Sequence, residues 1–368
     1  MPKQTVRLGR SNCGPARAMS DMALDIVSYG RRGPGGNLRF CVDQIAQIKR
    51  TVTRTPEVMV KVSGGGRDVA GVGAHLGYIG RHGKLPIEID DGLTLQGRGA
   101  VQEIVSDWQL DLCRSQYKPK STRDRKDPRA KLVHNIVLSM PAGTPAEKVL
   151  AASRLFAREN FALQYRYAMV LHTDQPHPHV HLVVKCEHEF ELGKRLYIRK
   201  DTLRRWREQF AALMREQGVA ANATPRQIRG QIRKPFRDAM LHRLRALRTF
   251  EQLPSGERAA RKPPKTSVFM LLKLKGVLQA LRSRRSVLDI GKDVMQRTRG
   301  AVVADWLATA EVLRRQGQGD LADRVDRFIA RMPVVETDAR RMADRWSEQV
   351  RSQASERTST RSADEQAR

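Results

Sequence analysis

Between His172 and His181 the chain reads His-Thr-Asp-Gln-Pro-His-Pro-His-Val-His, which gathers four of its nine histidines into ten residues. Imidazole is the side chain most often used to hold a divalent transition metal. The spacing His179-x-His181 puts two rings on one face of an extended strand. The preceding stretch, Tyr165 to His172, also reads as a strand, and Thr173 to Pro176 supply turn chemistry. Folded as a hairpin, the two strands return His172 to the side of His179 and His181. Three imidazoles then converge at one end of a sheet, with coordination positions left open for a substrate. The cluster runs straight into the apolar Leu182-Val183-Val184, so it is not a low-complexity metal-binding tract. Cys13, Cys41, Cys113 and Cys186 contain no Cys-x-x-Cys pair, which argues against a zinc finger.

The charge supplies a partner. The 368 residues hold 68 Lys and Arg against 39 Asp and Glu, a formal net charge of +29. Such an excess implies a polyanion, because cationic side chains on phosphates release counterions. Aromatic residues make up only 5% of the chain, so extended base stacking along a strand is not obviously provided for. No run approaches the ~18 apolar residues of a membrane span, no signal peptide is read at the N-terminus, and sparse cysteines suit a reducing cytoplasm. The expectation is a cytoplasmic nucleic-acid binder.

On a nucleic acid, a metal held by three neutral ligands keeps its full charge and can polarise a phosphoryl oxygen. The attacking group is then water or a side chain. A tyrosine nucleophile keeps hold of the DNA end through a covalent phosphotyrosyl link. Of six tyrosines, Tyr117 falls in a basic loop, and Tyr165, Tyr167 and Tyr197 have strand or strand-end contexts. Tyr78 lies on a glycine-flanked helix, one turn after His75 and about one turn before Arg81.

The elements that must position these groups can be read from periodicity. Alternation predicts strands at Val58–Gly64 and Leu132–Ser139, besides the histidine hairpin. Helical spacing predicts helices at Val42–Lys49, Asp68–His82 closed by Gly83, 98–113 with Val101, Ile104, Val105, Trp108 and Leu112 inward, and Thr202–Gln217. Thr144-Pro-Ala-Glu147 reads as a capping box that starts a helix running to about Asn160, and Thr224-Pro-Arg-Gln227 as a second one. The resulting class is α+β, an antiparallel or mixed sheet with helices on one face and a mainly helical C-terminal region. The expected divisions are a basic arm over 1–55, a domain carrying the histidine cluster over 56–230, a helical basic region over 231–350 and a disordered polar tail over 351–368. Residues 195–248 carry 15 Lys and Arg against 4 Asp and Glu, which favours phosphate contacts by Arg204, Arg205, Arg207, Arg226 and Arg229.

The motif from His172 to His181 resembles that of the conjugative relaxases, mobilisation nucleases related to those that nick T-DNA borders and members of the histidine-hydrophobe-histidine endonuclease class. Ala74-His-Leu-Gly-Tyr78-Ile-Gly-Arg81 is similar to the nucleophile motif of that family. His134 to Gly143 is similar to its strand motif before the capped helix. The resemblance covers about residues 57–230. It implies that Tyr78 attacks one strand at a transfer origin, leaving a 5′-phosphotyrosyl link and a free 3′-hydroxyl, and that His172, His179 and His181 hold Mg²⁺ or Mn²⁺. It implies that Asp174 orients a histidine, that Arg81 stabilises the phosphate or favours the phenolate, and that Ser139 contacts the DNA backbone. His177 is implied not to be a ligand. A ferredoxin-like sheet, accessory relaxosome proteins, a type IV secretion coupling protein and export with the DNA to a recipient cell belong to the same implication. The competing readings are a rolling-circle replication or transposition endonuclease of the same chemistry, and a non-catalytic nucleic-acid binder with structural histidines.

Overall fold

The computed structural model describes residues 39–113, 130–191, 193–231, 253–260 and 291–337, with isolated residues among 246–250 and 340–348. The glycine-rich arm before residue 39, most of the basic stretch Arg114–Lys131, the run Phe269–Leu278 and the tail from Ser352 lie outside the described residues. The described residues form two compact units. One is Ala46–Thr224; the other contains the chain from Pro225 together with described residues that precede Ala46. The expected limits of the first unit were 56 and 230.

The earlier start has a local cause. Helix α1 (Val42–Val52) buries Ile48 and Thr51. Its end is stitched to the far end of the unit: Gln47 donates to Asn222 at 3.0 Å, and the hydroxyls of Thr51 and Thr224 meet at 2.9 Å. Asn222 in turn donates to Glu57, and the Glu57 carboxylate accepts the Thr224 N–H. These buried polar groups satisfy one another.

The remaining elements of this unit are β1 (Met59–Gly64), α2 (Val69–Ile79), β2 (Ile87–Ile89), β3 (Thr94–Leu95), α3 (Ala100–Asp107), β4 (Val133–Ser139), α4 (Ala146–Phe161), β5 (Tyr167–His172), β6 (His179–Lys185) and α5 (Lys200–Glu216). The six strands make one antiparallel sheet in the order β1-β4-β6-β5-β2-β3. This is the expected α+β class. The sequence reading missed the short β2–β3 hairpin, which sits at the sheet edge.

Helices cover both sides of the sheet, rather than the single side expected. Val180, Leu182 and Val184 of β6 pack with Phe156 and Phe161 of α4 and Trp206 and Phe210 of α5. The alternate residue Val183 packs with Val72, Leu76 and Ile79 of α2 and with Ile104 and Trp108. Strands buried on both faces read as continuous apolar runs and lose the polar alternation that would mark a one-sided sheet. Two details at helix ends also differ. The helix after Thr144 forms, but the Thr144 hydroxyl donates to the Pro141 carbonyl and gives no cap to α4. Leu110 is buried where Leu112 was expected, because the chain leaves α3 through a left-handed Gln109.

Phe156 is the hub of the α4–α5 layer. It is fully buried, with ring centroids 6.2 Å from Phe161, 5.8 Å from Trp206 and 6.2 Å from Phe210. Phe156→Ala is expected to cost about 3–5 kcal/mol of unfolding free energy, measurable as a lowered urea midpoint.

In the second unit, α6 (Ser255–Ala260) is a short helix, and α7 (Lys292–Arg315) and α8 (Gly319–Ala330) pack as a helical pair. Trp306 and Phe328 lie 5.2 Å apart between them, and the Trp306 indole donates to the Ile228 carbonyl. Thr224 is occupied by the network described above, and the residues after it form a turn in place of the helix expected from the second capping box. Among the described residues, Cys113 and Cys186 are free and buried. Among the described residues, no helix is long and apolar enough to cross a membrane.

Candidate active site

The β5–β6 hairpin places its histidines by register. His172 pairs directly with His179, and Val170 with His181, so parity puts all three imidazoles on one face. Ser139 pairs with His179 on the other neighbouring strand, which fixes the same end of the sheet. The ring centroids lie 5.2 Å apart for His172–His179, 4.6 Å for His172–His181 and 5.1 Å for His179–His181. One ligand nitrogen from each ring falls within 4.8 Å of the others.

Backbone carbonyls orient two of the rings. Nε2 of His172 meets the Ile79 carbonyl at 2.6 Å, and Nδ1 of His179 meets the His177 carbonyl at 3.0 Å. A carbonyl only accepts, so these two nitrogens carry protons. The lone pairs are therefore on Nδ1 of His172 and Nε2 of His179. Burial lowers the pKa of His172, with its carbonyl bond opposing the shift. Burial, followed by the neighbouring His172 and His179, pushes His181 down to about 3. Neutral imidazole is the metal-binding form, so the donor set fits a divalent cation.

Helix α2 ends beside this cluster, and Tyr78 lies in its last turn. Asp68 caps its N-terminus by accepting from Gly71 N–H at 2.7 Å, and Val72, Leu76 and Ile79 anchor it to the sheet. The helix ends at Ile79, three residues before the expected end. The Ile79 carbonyl, left unsatisfied by the helix, is the one that His172 holds. Tyr78, one residue earlier, is 58% exposed. It lines an open cavity of about 420 Å³ with Arg81, His82, Lys84 and Leu85.

Past Gly80 the backbone is left-handed at three successive residues, Arg81 (φ 50°), His82 (φ 55°) and Gly83 (φ 87°). The turn folds the Arg81 guanidinium back over the Tyr78 ring, 5.4 Å from its centroid. Arg81 also forms an ion pair with Asp174. Desolvation opposes ionisation of Asp174, but the Arg81 charge outweighs it and the carboxyl lies below its usual pKa. At Gly83 a Cβ would come within 2.6 Å of the Gly97 carbonyl. Gly83→Ala is expected to destabilise the protein by more than the roughly 1–2 kcal/mol of left-handed backbone strain alone. A thermal melt reads that loss.

Residues 101–219 match the family model of the MobA/VirD2-like relaxase nuclease domain. The chain is 27% identical over 205 residues to the T-DNA border endonuclease VirD2 of Rhizobium rhizogenes, an overlap of 51% of this chain and 45% of that protein. Its identity to the protein of the same name from Agrobacterium fabrum strain C58 is also 27% over 205 residues, covering 51% and 44%. The chain thus spans less than half the length of these relatives. Among solved structures, the metal-bound conjugative relaxase TrwC in complex with oriT DNA aligns at 10% identity and a TM-score of 0.30, covering 67% of this chain and 97% of that one. A structure on the molecular basis of vancomycin resistance transfer in Staphylococcus aureus aligns at 10% identity and a TM-score of 0.28, covering 46% and 99%.

The segment matched by that model contains Ser139, Asp174 and the three histidines, while Tyr78 and Arg81 precede it. Asp174 sits 4.0 Å from His172 Nδ1, beyond hydrogen-bonding distance, and its ion pair is with Arg81. The orienting role expected of it falls to the carbonyls of Ile79 and His177. Ser139 is 6% exposed and its hydroxyl donates to the Pro178 carbonyl at 3.3 Å. It therefore holds the loop before His179 and is not open to a DNA backbone. His177 is exposed and lends only its carbonyl.

The expected phosphate contacts of α5 do not gather at the three histidines. That helix packs on the opposite face of the sheet. Arg204 pairs with Glu208 at 3.6 Å, and Arg207 donates to the Val60 carbonyl at 3.2 Å along strand β1. Arg205 is exposed on the helix. Arg226 and Arg229 are partly buried in the second unit. The alternative tyrosines are poorly placed: Tyr165 and Tyr167 are 7% and 6% exposed, and burial raises the pKa of both. His75 on α2 was not expected in the site, yet its ring lies 6.4 Å from that of His181. Its place one turn before Tyr78 was the available signal.

Proposed function

We propose that the chain is a metal-dependent DNA relaxase that nicks one strand at a transfer origin and rejoins it after conjugative transfer. The observation that carries this reading is the direct bond between the end of the Tyr78 helix and the triad, Ile79 carbonyl to His172. It couples a solvent-accessible phenol to a cation site on one face of a relaxase nuclease fold.

Tyr78 attacks the scissile phosphorus with its phenolic oxygen. The bond to the 3′ oxygen breaks, leaving a 5′-phosphotyrosyl link and a 3′-hydroxyl that later reverses the step. His172, His179 and His181 hold the cation; when bound, Mg²⁺ or Mn²⁺ supplies Lewis-acid charge to the phosphoryl oxygens. Arg81 fixes the ring of Tyr78 and turns cationic donors toward the cavity, while Asp174 holds Arg81 in that pose. The large positive charge draws in single-stranded DNA without specifying its sequence. Accessory relaxosome proteins and a secretion coupling protein belong to the same reading, as does a bacterial cytoplasmic location with export on the transferred strand. The VirD2 relatives favour relaxase chemistry over a purely structural use of the histidines.

Incubating the full chain with labelled single strands spanning a transfer origin, with Mn²⁺ and with EDTA, tests the reading. A protein–DNA band that survives denaturing electrophoresis is expected with Mn²⁺ alone. Its absence under both conditions, with tight binding retained, would favour a non-catalytic nucleic-acid binder.

A further inference from the structure

Two imidazole nitrogens beside the triad are closed off from solvent and lack a hydrogen-bond partner among the described residues: Nδ1 of His181 and Nε2 of His75. Their rings are neighbours, with centroids 6.4 Å apart and planes at 73°. The other two triad histidines each have one nitrogen fixed by a backbone carbonyl. His181 is the member for which no such bond is made. Buried polar atoms in folded proteins are rarely left in this state, and an enclosed water or a paired side chain is the usual resolution.

We propose that His75 is a positioning residue that accepts the Nδ1–H of His181 through one enclosed water. This fixes the tautomer of His181 whose Nε2 lone pair is free for the cation. A neutral imidazole has one donor and one acceptor, so a proton on Nδ1 of His181 leaves Nε2 as the acceptor. His75 takes the complementary role with its own buried Nε2. It is not a fourth ligand, since the nitrogens within 4.8 Å of one another come from His172, His179 and His181. Asp174 cannot substitute for it, being engaged by Arg81. Helix α2 then grips the triad twice, through His75 on His181 and through the Ile79 carbonyl on His172, with Tyr78 between the two grips. Partners behind metal-binding histidines set ring orientation and basicity in this way.

The inference rests on the relaxase reading for its purpose but not for its test. In the metal-free full chain, ¹⁵N shifts should report His181 protonated on Nδ1; protonation on Nε2 would overturn the proposal without any variant. His75→Phe should weaken Mn²⁺ binding by about 10–100-fold in calorimetry and leave His181 as a mixture of tautomers. His75→Gln, whose side-chain oxygen accepts the same bond, should keep affinity near wild type. Circular dichroism checks that both variants are folded. Unchanged Mn²⁺ affinity in His75→Phe, or a His75 resonance that shifts as a direct ligand on Zn²⁺ addition, would overturn it. A wild-type chain that forms no DNA adduct would remove the relaxase reading while the His75–His181 result stood.

Discussion

Tyr78→Phe is expected to bind a single-stranded transfer-origin oligonucleotide as wild type does, yet to form no covalent adduct. The substitution removes one oxygen from a side chain that is 58% exposed, so no buried hydrogen bond is broken and no cavity is made. Arg81 stacks on the ring face, 5.4 Å from its centroid, and a phenylalanine ring retains that contact. Binding carried by phosphate contacts elsewhere is untouched. Adduct formation should therefore fall by at least about a thousand-fold, the scale on which deleting an acting group is felt. Denaturing electrophoresis beside a filter-binding titration separates the two effects. An adduct at wild-type level would move the nucleophile to another residue.

The second large effect is expected from the triad. Replacing His179 and His181 together by Ala leaves His172 as a single imidazole, and one neutral ligand does not hold a hard divalent ion against water. Mn²⁺ affinity should drop by more than the roughly 10–100-fold that loss of an outer hydrogen-bond partner costs. Nicking should disappear with it. In the wild-type chain, EDTA should stop nicking and added Mn²⁺ should restore it. The double variant should not respond to Mn²⁺ at any concentration that saturates the wild type. Full activity in EDTA would contradict a metal role for these histidines.

The sequence foretold the triad because period-two geometry and a short turn leave a hairpin little freedom: once His172 and His179 flank Thr173 to Pro178, the register follows. The exposure of Tyr78 has a different source, the glycine-flanked helix that presents it. The Asp174 assignment went astray because its alternative partner, Arg81, lies 93 positions away and is delivered by a left-handed turn that no periodicity reveals. The buried sides of β4, β5 and β6 hid the second helical layer, since a strand covered on both faces has no polar alternation to display. The basic face of α5 read as a phosphate surface by composition alone. Composition does not say which side of a sheet a helix will cover, and here the Phe156–Trp206–Phe210 cluster draws it away from the histidines. His75 was visible as a residue one turn from Tyr78, but its relation to His181 exists only after α2 packs on β6.

Peptide mapping of the covalent adduct tests the central claim most directly. After nuclease trimming and trypsin digestion, tandem mass spectrometry should find the residual nucleotide phosphate on the peptide Asp68–Arg81, whose single tyrosine is Tyr78. A phosphonucleotide on Tyr117, Tyr165, Tyr167, Tyr197 or any other residue, with Tyr78 unmodified, would contradict the account.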